Sequence, residues 1–238
     1  MIERVTQRNL HDQVIQALGR QIVGGDLQPG EVLPREDTLA QQMDVSRSVL
    51  REAVKVLAAK GLVESRPKVG TRIRDSRFWH QLDGQVLAWR CASMPTDDFV
   101  QKLVEMREVI EPAAAALAAR RCEVPQLAAL DTAYASMAAA TNLKAWTTAD
   151  VVFHEAILDA TNNELMVSLF SVVETSLETF FSLSARAAKD FKYSLPHHRR
   201  VLESIRRRQP QAARRAMLAL IADSRNNLAA GKRRRARS

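Results

Sequence analysis

The chain has 238 residues, 46% of them hydrophobic, and a formal net charge of +8 at pH 7, so we expect a globular protein with one large or two small domains. No apolar run approaches the roughly 20 residues of a membrane-spanning helix, and no charged-then-apolar signal segment begins the chain, which predicts a cytoplasmic protein with no membrane partner. The two cysteines, Cys91 and Cys122, lie far apart without CxxC spacing, which indicates neither a disulfide framework nor a zinc ribbon.

The first part of the chain has the pattern of three short helices. Apolar residues at helical spacing predict a helix over residues 9–23, and a two-turn helix follows over residues 37–43. Ser46 is expected to cap a third helix, because its hydroxyl can accept from the free amides of the next turn, and Gly61 ends that helix. Two short helices joined by a tight turn, the second basic on its outer face, can place a helix in a DNA major groove.

A basic hairpin is predicted directly after the third helix. Residues 62–66 and 71–74 have extended patterns and are joined by the turn-prone PKVG. Between residues 46 and 74 there are eight basic and two acidic residues, a local charge of +6 in 29 residues. Lys and Arg laid against phosphates release condensed counterions, so this stretch indicates a polyanionic partner and the hairpin is typical of a wing.

From Phe99 onward the pattern is helical throughout, with no strand signal. Proline and asparagine lie at the helix boundaries, except for Pro112, which should kink or divide the first helix. The fold class is therefore mainly α, an N-terminal winged helix-turn-helix followed by an all-α helical bundle. The predicted helices of the bundle span residues 97–121, 124–140, 146–160, 163–188, 195–208 and 210–229.

Two groups of residues in the predicted bundle are candidates for a metal or ligand site. Asp150 and His154 lie one helical turn apart, so both can reach one ion, although such pairs also occur as surface hydrogen bonds. Arg107 lies in an apolar helical stretch and needs a partner if buried, either Glu111 or a ligand carboxylate. Leu158 stands where an HExxH zinc-protease helix would have its second histidine. No phosphate loop or GxSxG motif is present, so we do not expect an enzyme.

Three segments of the first part, LPREDTLA (residues 33–40), VSRSVLREA (45–53) and LAAKGLV (57–63), resemble the winged helix-turn-helix of GntR-family transcriptional regulators. The bundle resembles the FCD ligand-binding domain of the FadR subfamily through EMR with EP (residues 105–107 and 111–112), DVVFH (150–154) and HRRVL (198–202). Together with LDGQVLAW (82–89), these motifs are similar to the galactonate-operon repressor branch.

The resemblance implies a homodimer that binds palindromic operator DNA. Serine and arginine at the start of the third helix and the hairpin tip fall where the family contacts DNA. Asp37 stands where the family often has an arginine, so we interpret Asp37 as a helix-start residue, with Arg35 supplying the positive charge nearby. The predicted DNA-binding residues are Arg35, Ser46, Arg47, Ser48, Arg51, Lys68, Gly70 and Thr71.

The resemblance also implies a metal and an effector site in the bundle. Asp150, His154 and His198 match metal-ligand positions, and His197 is expected at the surface. Leu220 stands where metal-binding members have a further histidine, so a zinc, nickel or manganese ion would have three protein ligands, completed by effector and water. Arg107 is the predicted effector-binding residue.

The predicted function is repression of a sugar-acid or related organic-acid catabolic operon, relieved by a small carboxylate. Other effector classes stay open, namely a hydroxy acid such as lactate, a dicarboxylate or a fatty acid derivative. A metal-dependent enzyme and a structural DNA binder without a ligand are the rival classes. The predicted domains are residues 1–75 (DNA-binding), 76–94 (linker), 95–230 (effector-binding and dimerisation) and 231–238, a basic tail that either is disordered or adds DNA affinity.

Overall fold

The structure is a computed structural model that describes residues 7–67, 69–93, 97–183 and 190–235, with side chains from residue 10 to residue 226 of these ranges. The chain divides into two compact units, Met1–Pro95 and Thr96–Ser238. Lys68, a predicted DNA contact, lies outside the described residues.

The first unit contains four α-helices and a two-stranded hairpin within its described residues. The antiparallel pairing runs from Val63↔Ile73 to Arg66↔Gly70, and an isolated bridge joins Val32 to Arg72. This arrangement confirms the predicted winged helix-turn-helix. The elements are α1 (Gln7–Gly24), α2 (Glu36–Gln42), α3 (Arg47–Ala59), β1 (Val63–Arg66), β2 (Gly70–Ile73), a 3-10 turn (Ser76–Phe78) and α4 (Gly84–Ser93).

Helix α3 is fixed at both ends by the residues that the sequence indicated. The Ser46 hydroxyl accepts a hydrogen bond from the backbone N–H of Val49 at 3.3 Å, which satisfies one free donor of the first turn. Gly61 follows the helix with φ +79, and a Cβ there would lie 2.2 Å from the carbonyl oxygen of Phe78. The apolar face between these ends buries Leu50, Ala53 and Leu57, so the basic face of α3 is left exposed.

Residues 76–93, which we predicted as part of a linker, pack within the first unit. Trp89 on α4 is 2% exposed and donates from its indole Nε1 to Gln16 Oε1 on α1 at 2.7 Å. Asp83, just before α4, pairs with Lys60 at the end of α3 at 2.7 Å. Helix α4 is therefore held by α1 and, through Asp83, by the end of α3, which is the predicted recognition helix, the one that would enter the major groove.

The second unit is helical throughout its described residues, as predicted. Helix α5 packs against α7, α9, α10 and α11, so it forms the centre of the bundle. The helices are α5 (Asp97–Arg121), α6 (Val124–Ala139), α7 (Leu143–Asp159), α8 (Glu164–Val167), α9 (Phe170–Leu183), α10 (Leu195–Arg206) and α11 (Pro210–Arg235).

Several helix boundaries differ from the prediction, and α7 begins at Leu143, three residues before its predicted start. Helix α5 continues through Pro112 without division, because its packing on both sides outweighs the lost backbone hydrogen bond. The helix expected over residues 163–188 is two helices, and the Ser168 hydroxyl donates to the carbonyl of Glu164 at the break, a bond that competes with helix continuation. Its last part, residues 184–188, lies outside the described residues. Helix α11 extends to Arg235, into the predicted tail.

Within the described residues, one stretch, Glu164–Leu183, is long and apolar enough to cross a membrane by length and composition alone. A turn between α8 and α9 divides it. Its apolar side chains Val173, Leu177 and Phe180 are buried in the bundle. The stretch therefore has the packing of a core helix pair.

Candidate functional site

A cluster of five ionisable side chains lies inside the second unit. Charged residues are rarely buried this completely unless each one has a partner. Three helices, α5, α7 and α10, supply the cluster. Its members, with their exposed fractions, are Arg107 (2%), Glu111 (0%), Asp150 (1%), His154 (1%) and His198 (1%).

The positions of these side chains follow from the helix faces. On α7, Asp150 and His154 lie on the face that buries Trp146, Phe153 and Ile157, so they point into the bundle by the same periodicity as the core. The Asn142 side chain caps this helix by accepting from the backbone N–H of Ala145 at 2.9 Å. On α10, His198 shares its buried face with Val201, Leu202 and Ile205.

The structure brings together Asp150, His154 and His198, the three residues predicted as metal ligands. His198 Nε2 lies 3.0 Å from Asp150 Oδ1, and His154 Nε2 lies 3.8 Å from Asp150 Oδ2. One ligand atom from each of the three residues lies within 4.8 Å of the others. One carboxylate and two imidazoles at this spacing can reach a single divalent cation.

The hydrogen-bonding partners of His198 indicate which nitrogen carries its proton. Its Nδ1 lies 2.9 Å from the carbonyl oxygen of Ser194, which can only accept, so Nδ1 donates, and in the neutral ring the lone pair is on Nε2, the nitrogen beside Asp150. Among the described residues, His198 Nε2 and Asp150 Oδ2 have no hydrogen-bond partner. A buried carboxylate oxygen and a buried imidazole nitrogen are both ligand atoms for a divalent cation, and a proton on Nε2, 3.0 Å from Asp150 Oδ1, is the other way to satisfy them.

Arg107 takes Glu111 as its partner, one of the two alternatives raised by the sequence. Arg107 Nε donates to Glu111 Oε1, and Nη2 reaches Oε2 at 3.4 Å. Burial alone would raise the pKa of Glu111. The positive charge of Arg107 and its hydrogen bonds to the carboxylate, together with the nearby His154, outweigh burial and lower that pKa to about 2. Glu111 is therefore ionised.

A contact that the sequence reasoning missed joins Glu111 to the histidines. His154 Nδ1 lies 2.6 Å from Glu111 Oε2, close enough for an ion pair although its angle is outside good hydrogen-bond geometry. The spacing of Arg107 and Glu111 showed that these two share a face of α5. The sequence spacing along α5 and α7 does not show that this face of α5 packs against His154.

Leu220 faces the same cluster. It is 2% exposed and lines a cavity of about 10 Å³ together with Arg107, Asp150, His154 and His198. The hydrocarbon side chain offers no ligand atom, so the described part of this cavity has three donors suited to a transition metal. His197 is half-buried and does not line the cavity.

The predicted DNA-binding side chains of α3 are exposed and paired with acids of α2. Arg47 Nε lies 2.9 Å from Asp37 Oδ1, and Arg51 Nη2 lies 2.7 Å from Glu36 Oε2. The hydrogen bond from Arg51 lowers the pKa of Glu36. The hydroxyls of Ser46 and Ser48 lie 2.9 Å apart beside them.

The other predicted DNA contacts within the described residues lie next to α2 and in the hairpin. Arg35 precedes the first helical residue of α2, and Glu36 and Asp37 occupy the first turn of that helix, where acids favour the helix dipole. Gly70 and Thr71 begin β2. The structure thus places Asp37 at a helix start, with its carboxylate directed at Arg47.

Each of the two units matches the model of a known protein family. The model of bacterial regulatory proteins of the gntR family matches residues 10–73, and the FCD domain model matches residues 102–223. The chain belongs to the GntR family. The FCD match includes all five residues of the buried cluster, and the gntR match includes the paired arginines of α3.

This GntR-family regulator is similar to characterised and uncharacterised relatives over most of their length. It is 33% identical over 218 residues to the Escherichia coli HTH-type transcriptional regulator YieP, covering 90% of this chain and 94% of the relative. It is 30% identical over 222 residues to the Escherichia coli galactonate operon transcriptional repressor, covering 92% and 97%. These domains and relatives are those of a transcriptional regulator and not of an enzyme.

A solved structure shares the fold of this GntR-family regulator. Lar, which controls the expression of the Listeria monocytogenes agr system, matches with a TM-score of 0.65 and 20% identity, covering 92% of this chain and 95% of Lar. The similarity at this identity supports the architecture alone.

Proposed function

We propose that this regulator is a cytoplasmic homodimer that represses a sugar-acid or related organic-acid catabolic operon and leaves its palindromic operator when a small carboxylate binds the FCD unit. The observation that carries the proposal is the buried cluster of Arg107, Asp150, His154 and His198. A structural DNA binder without a ligand has no need for four buried ionisable groups around one cavity.

Asp150, His154 and His198 are the proposed ligands of a divalent zinc, nickel or manganese ion. Asp150 Oδ2 and His198 Nε2 are buried without a hydrogen-bond partner and fit such an ion, because a carboxylate oxygen and the unprotonated nitrogen of a neutral imidazole are both ligand atoms for a divalent cation. When bound, the ion supplies positive charge and open coordination positions to an anionic effector. Arg107 lines the same cavity and supplies a guanidinium for its carboxylate.

The proposed operator contacts divide into two kinds. Arg47 and Arg51 are suited to guanine O6 and N7 in the major groove, because a guanidinium donates two parallel hydrogen bonds. Ser46 and Ser48 beside them, Arg35 before α2 and the wing residues Lys68, Gly70 and Thr71 would hold phosphates. The two kinds of contact should respond differently to changes of DNA sequence and salt.

The sugar-acid class is proposed because this chain is 30% identical to the galactonate operon transcriptional repressor. A hydroxy acid such as lactate, a dicarboxylate or a fatty acid derivative is the alternative effector. Sugar acids, hydroxy acids and dicarboxylates all carry the carboxylate that Arg107 would bind, so the numbers of hydroxyls and of carboxylates separate these three classes, and a fatty acid derivative is separated by its long apolar chain.

The decisive experiment is thermal-shift screening of the purified protein with D-galactonate, D-galacturonate, L-lactate and succinate, with metal content measured on the same sample. We expect one acid to raise Tm and to release a DNA fragment selected by the protein from a random library. His198→Ala should abolish the shift and the bound metal, and His197→Ala, the adjacent histidine outside the cavity, should retain both. Equal behaviour of the two variants would contradict the proposed site.

A further inference from the structure

Within the buried cluster, Glu111 contacts both the proposed effector-binding residue and a proposed metal ligand. On one side it pairs with Arg107, the proposed effector-binding residue. On the other side its Oε2 lies 2.6 Å from Nδ1 of His154, a proposed metal ligand. We infer that Glu111 is a positioning residue for the metal site, one that fixes the tautomer and ring orientation of His154. The inference rests on the proposed metal site.

The acceptor character of Glu111 determines the proton of His154. The Glu111 carboxylate is paired with the guanidinium of Arg107 and faces His154 as an acceptor, so Nδ1 of His154, 2.6 Å away, is the nitrogen that carries the proton. With Nδ1 protonated, neutral His154 has its lone pair on Nε2. That nitrogen faces Asp150 Oδ2 at 3.8 Å, on the side where the three ligand residues converge.

The two histidines reach the same tautomer through different partners. His198 is oriented by a neutral backbone carbonyl, that of Ser194, and His154 by the carboxylate of Glu111. A carboxylate partner makes the imidazole a stronger donor to a metal than a carbonyl does, because its negative charge stabilises the positive charge that builds on the ring. His154 is thus the more strongly polarised of the two ligands.

Arg107 restrains the carboxylate in turn. Contacts from both Nε and Nη2 fix the plane of the Glu111 side chain, and burial at 0% exposure removes water as a competing partner. Arg107, Glu111 and His154 therefore form a continuous series of contacts from α5 to α7. Loss of a group that orients a histidine ligand typically weakens metal affinity by about 10- to 100-fold.

The test is the metal affinity of the full chain with Glu111→Gln, measured by competition between the protein and a chromophoric chelator for Zn²⁺ and for Co²⁺. Glutamine keeps the shape of the side chain but removes its charge, and its amide can present a donor to Nδ1. We expect affinity to fall by about 10- to 100-fold and the visible absorption of bound Co²⁺ to change. Glu111→Asp, which keeps the carboxylate, should recover part of the affinity and the wild-type spectrum.

Two control variants separate positioning from general damage. Glu108→Gln removes a carboxylate from the same helix, one that pairs with Arg225 at 2.8 Å, and should leave the metal affinity unchanged. Leu130→Ala, at a fully buried position of α6, should lower Tm without changing the Co²⁺ spectrum. These controls show what charge removal and lost stability do by themselves.

The outcomes distinguish this inference from the proposed function. If the wild type binds Zn²⁺ and Co²⁺, His198→Ala does not, and Glu111→Gln binds both as the wild type does, the positioning role is overturned while the metal site stands. The positioning role is also overturned if Leu130→Ala reproduces the affinity loss and the spectral change of Glu111→Gln. If the wild type binds neither ion, the metal site fails and this inference fails with it.

Discussion

The guanidinium of Arg47, at the start of the recognition helix, lies 2.9 Å from the carboxylate of Asp37 on α2. Both side chains are more than half exposed, so water screens the pair and its contribution to stability is small. Its consequence is for DNA, because an acid that holds Arg47 competes with bases and phosphates for the same guanidinium.

Asp37→Asn should therefore bind DNA more tightly. We expect a several-fold gain on both random DNA and the operator, since the carboxylate repels phosphates wherever the protein binds. Fluorescence anisotropy at several salt concentrations measures both. Asp98→Asn makes the same charge change on α5, where the acid pairs with Lys102, and should have little effect. A weaker complex for Asp37→Asn would show that this acid orients Arg47 productively.

Arg47→Ala and Arg51→Ala should each weaken operator binding by about 1 to 3 kcal/mol per lost base contact and relax the sequence preference. Lys68→Ala should instead weaken operator and random DNA alike and lower the dependence of binding on salt. Binding curves on the selected operator and on a scrambled fragment check this division. It fails if all three variants lose equal affinity on both fragments.

Much of this organisation could be predicted from local sequence. Helix periodicity placed α5 at the observed residues, and the Ser46 cap follows from hydroxyl chemistry next to an amphipathic run. Spacing along α7 also placed Asp150 beside His154. The contact of Glu111 with His154 could not be predicted, because it depends on how α5 and α7 pack. The pairing of Arg47 with Asp37 depends similarly on the angle between α2 and α3.

Leu220→His should tighten metal binding. Leu220 lines the cavity with the three proposed ligands, so an imidazole there adds a fourth protein donor and closes a tetrahedral site. We expect a gain of about 1.4 kcal/mol or more, tenfold in Kd, by chelator competition, and a weaker response to the carboxylate that would otherwise fill the open position. An unchanged Kd would mean that the residue at 220 does not reach the ion.

Asp83→Asn should destabilise the first unit in a pH-dependent way. Burial raises the pKa of Asp83, but the hydrogen bonds from Lys60, Val86 and Gln85 and the charge of Lys60 outweigh it, so the pKa is lowered in the folded state. The stabilisation is therefore present above the ordinary value of 3.8 and is lost as pH falls below it.

Asparagine can still cap α4, so the Asp83→Asn comparison isolates the ion pair. We expect a loss of about 1 kcal/mol at pH 7 that shrinks progressively as pH falls below 3.8. Calorimetry of the wild type and of Asp83→Asn from pH 7 into the acid range measures the difference in their free energies of unfolding. If the difference in unfolding free energy between the two proteins stayed constant with pH, the loss would come from something other than the charge of Asp83.

Gly61→Ala should destabilise the first unit more than the same change at Gly25. Both glycines have positive φ, +79 and +86, so alanine is strained at either position. At Gly25 the nearest atom to a new Cβ is Gln28 Nε2 at 3.8 Å, an ordinary contact, whereas at Gly61 it is the Phe78 carbonyl oxygen at 2.2 Å. We expect about 1 kcal/mol for Gly25→Ala and more than about 2 kcal/mol for Gly61→Ala, measured by urea unfolding. Equal losses would show that residues 76–79 shift freely away from the end of α3, and that the recognition helix is not held there.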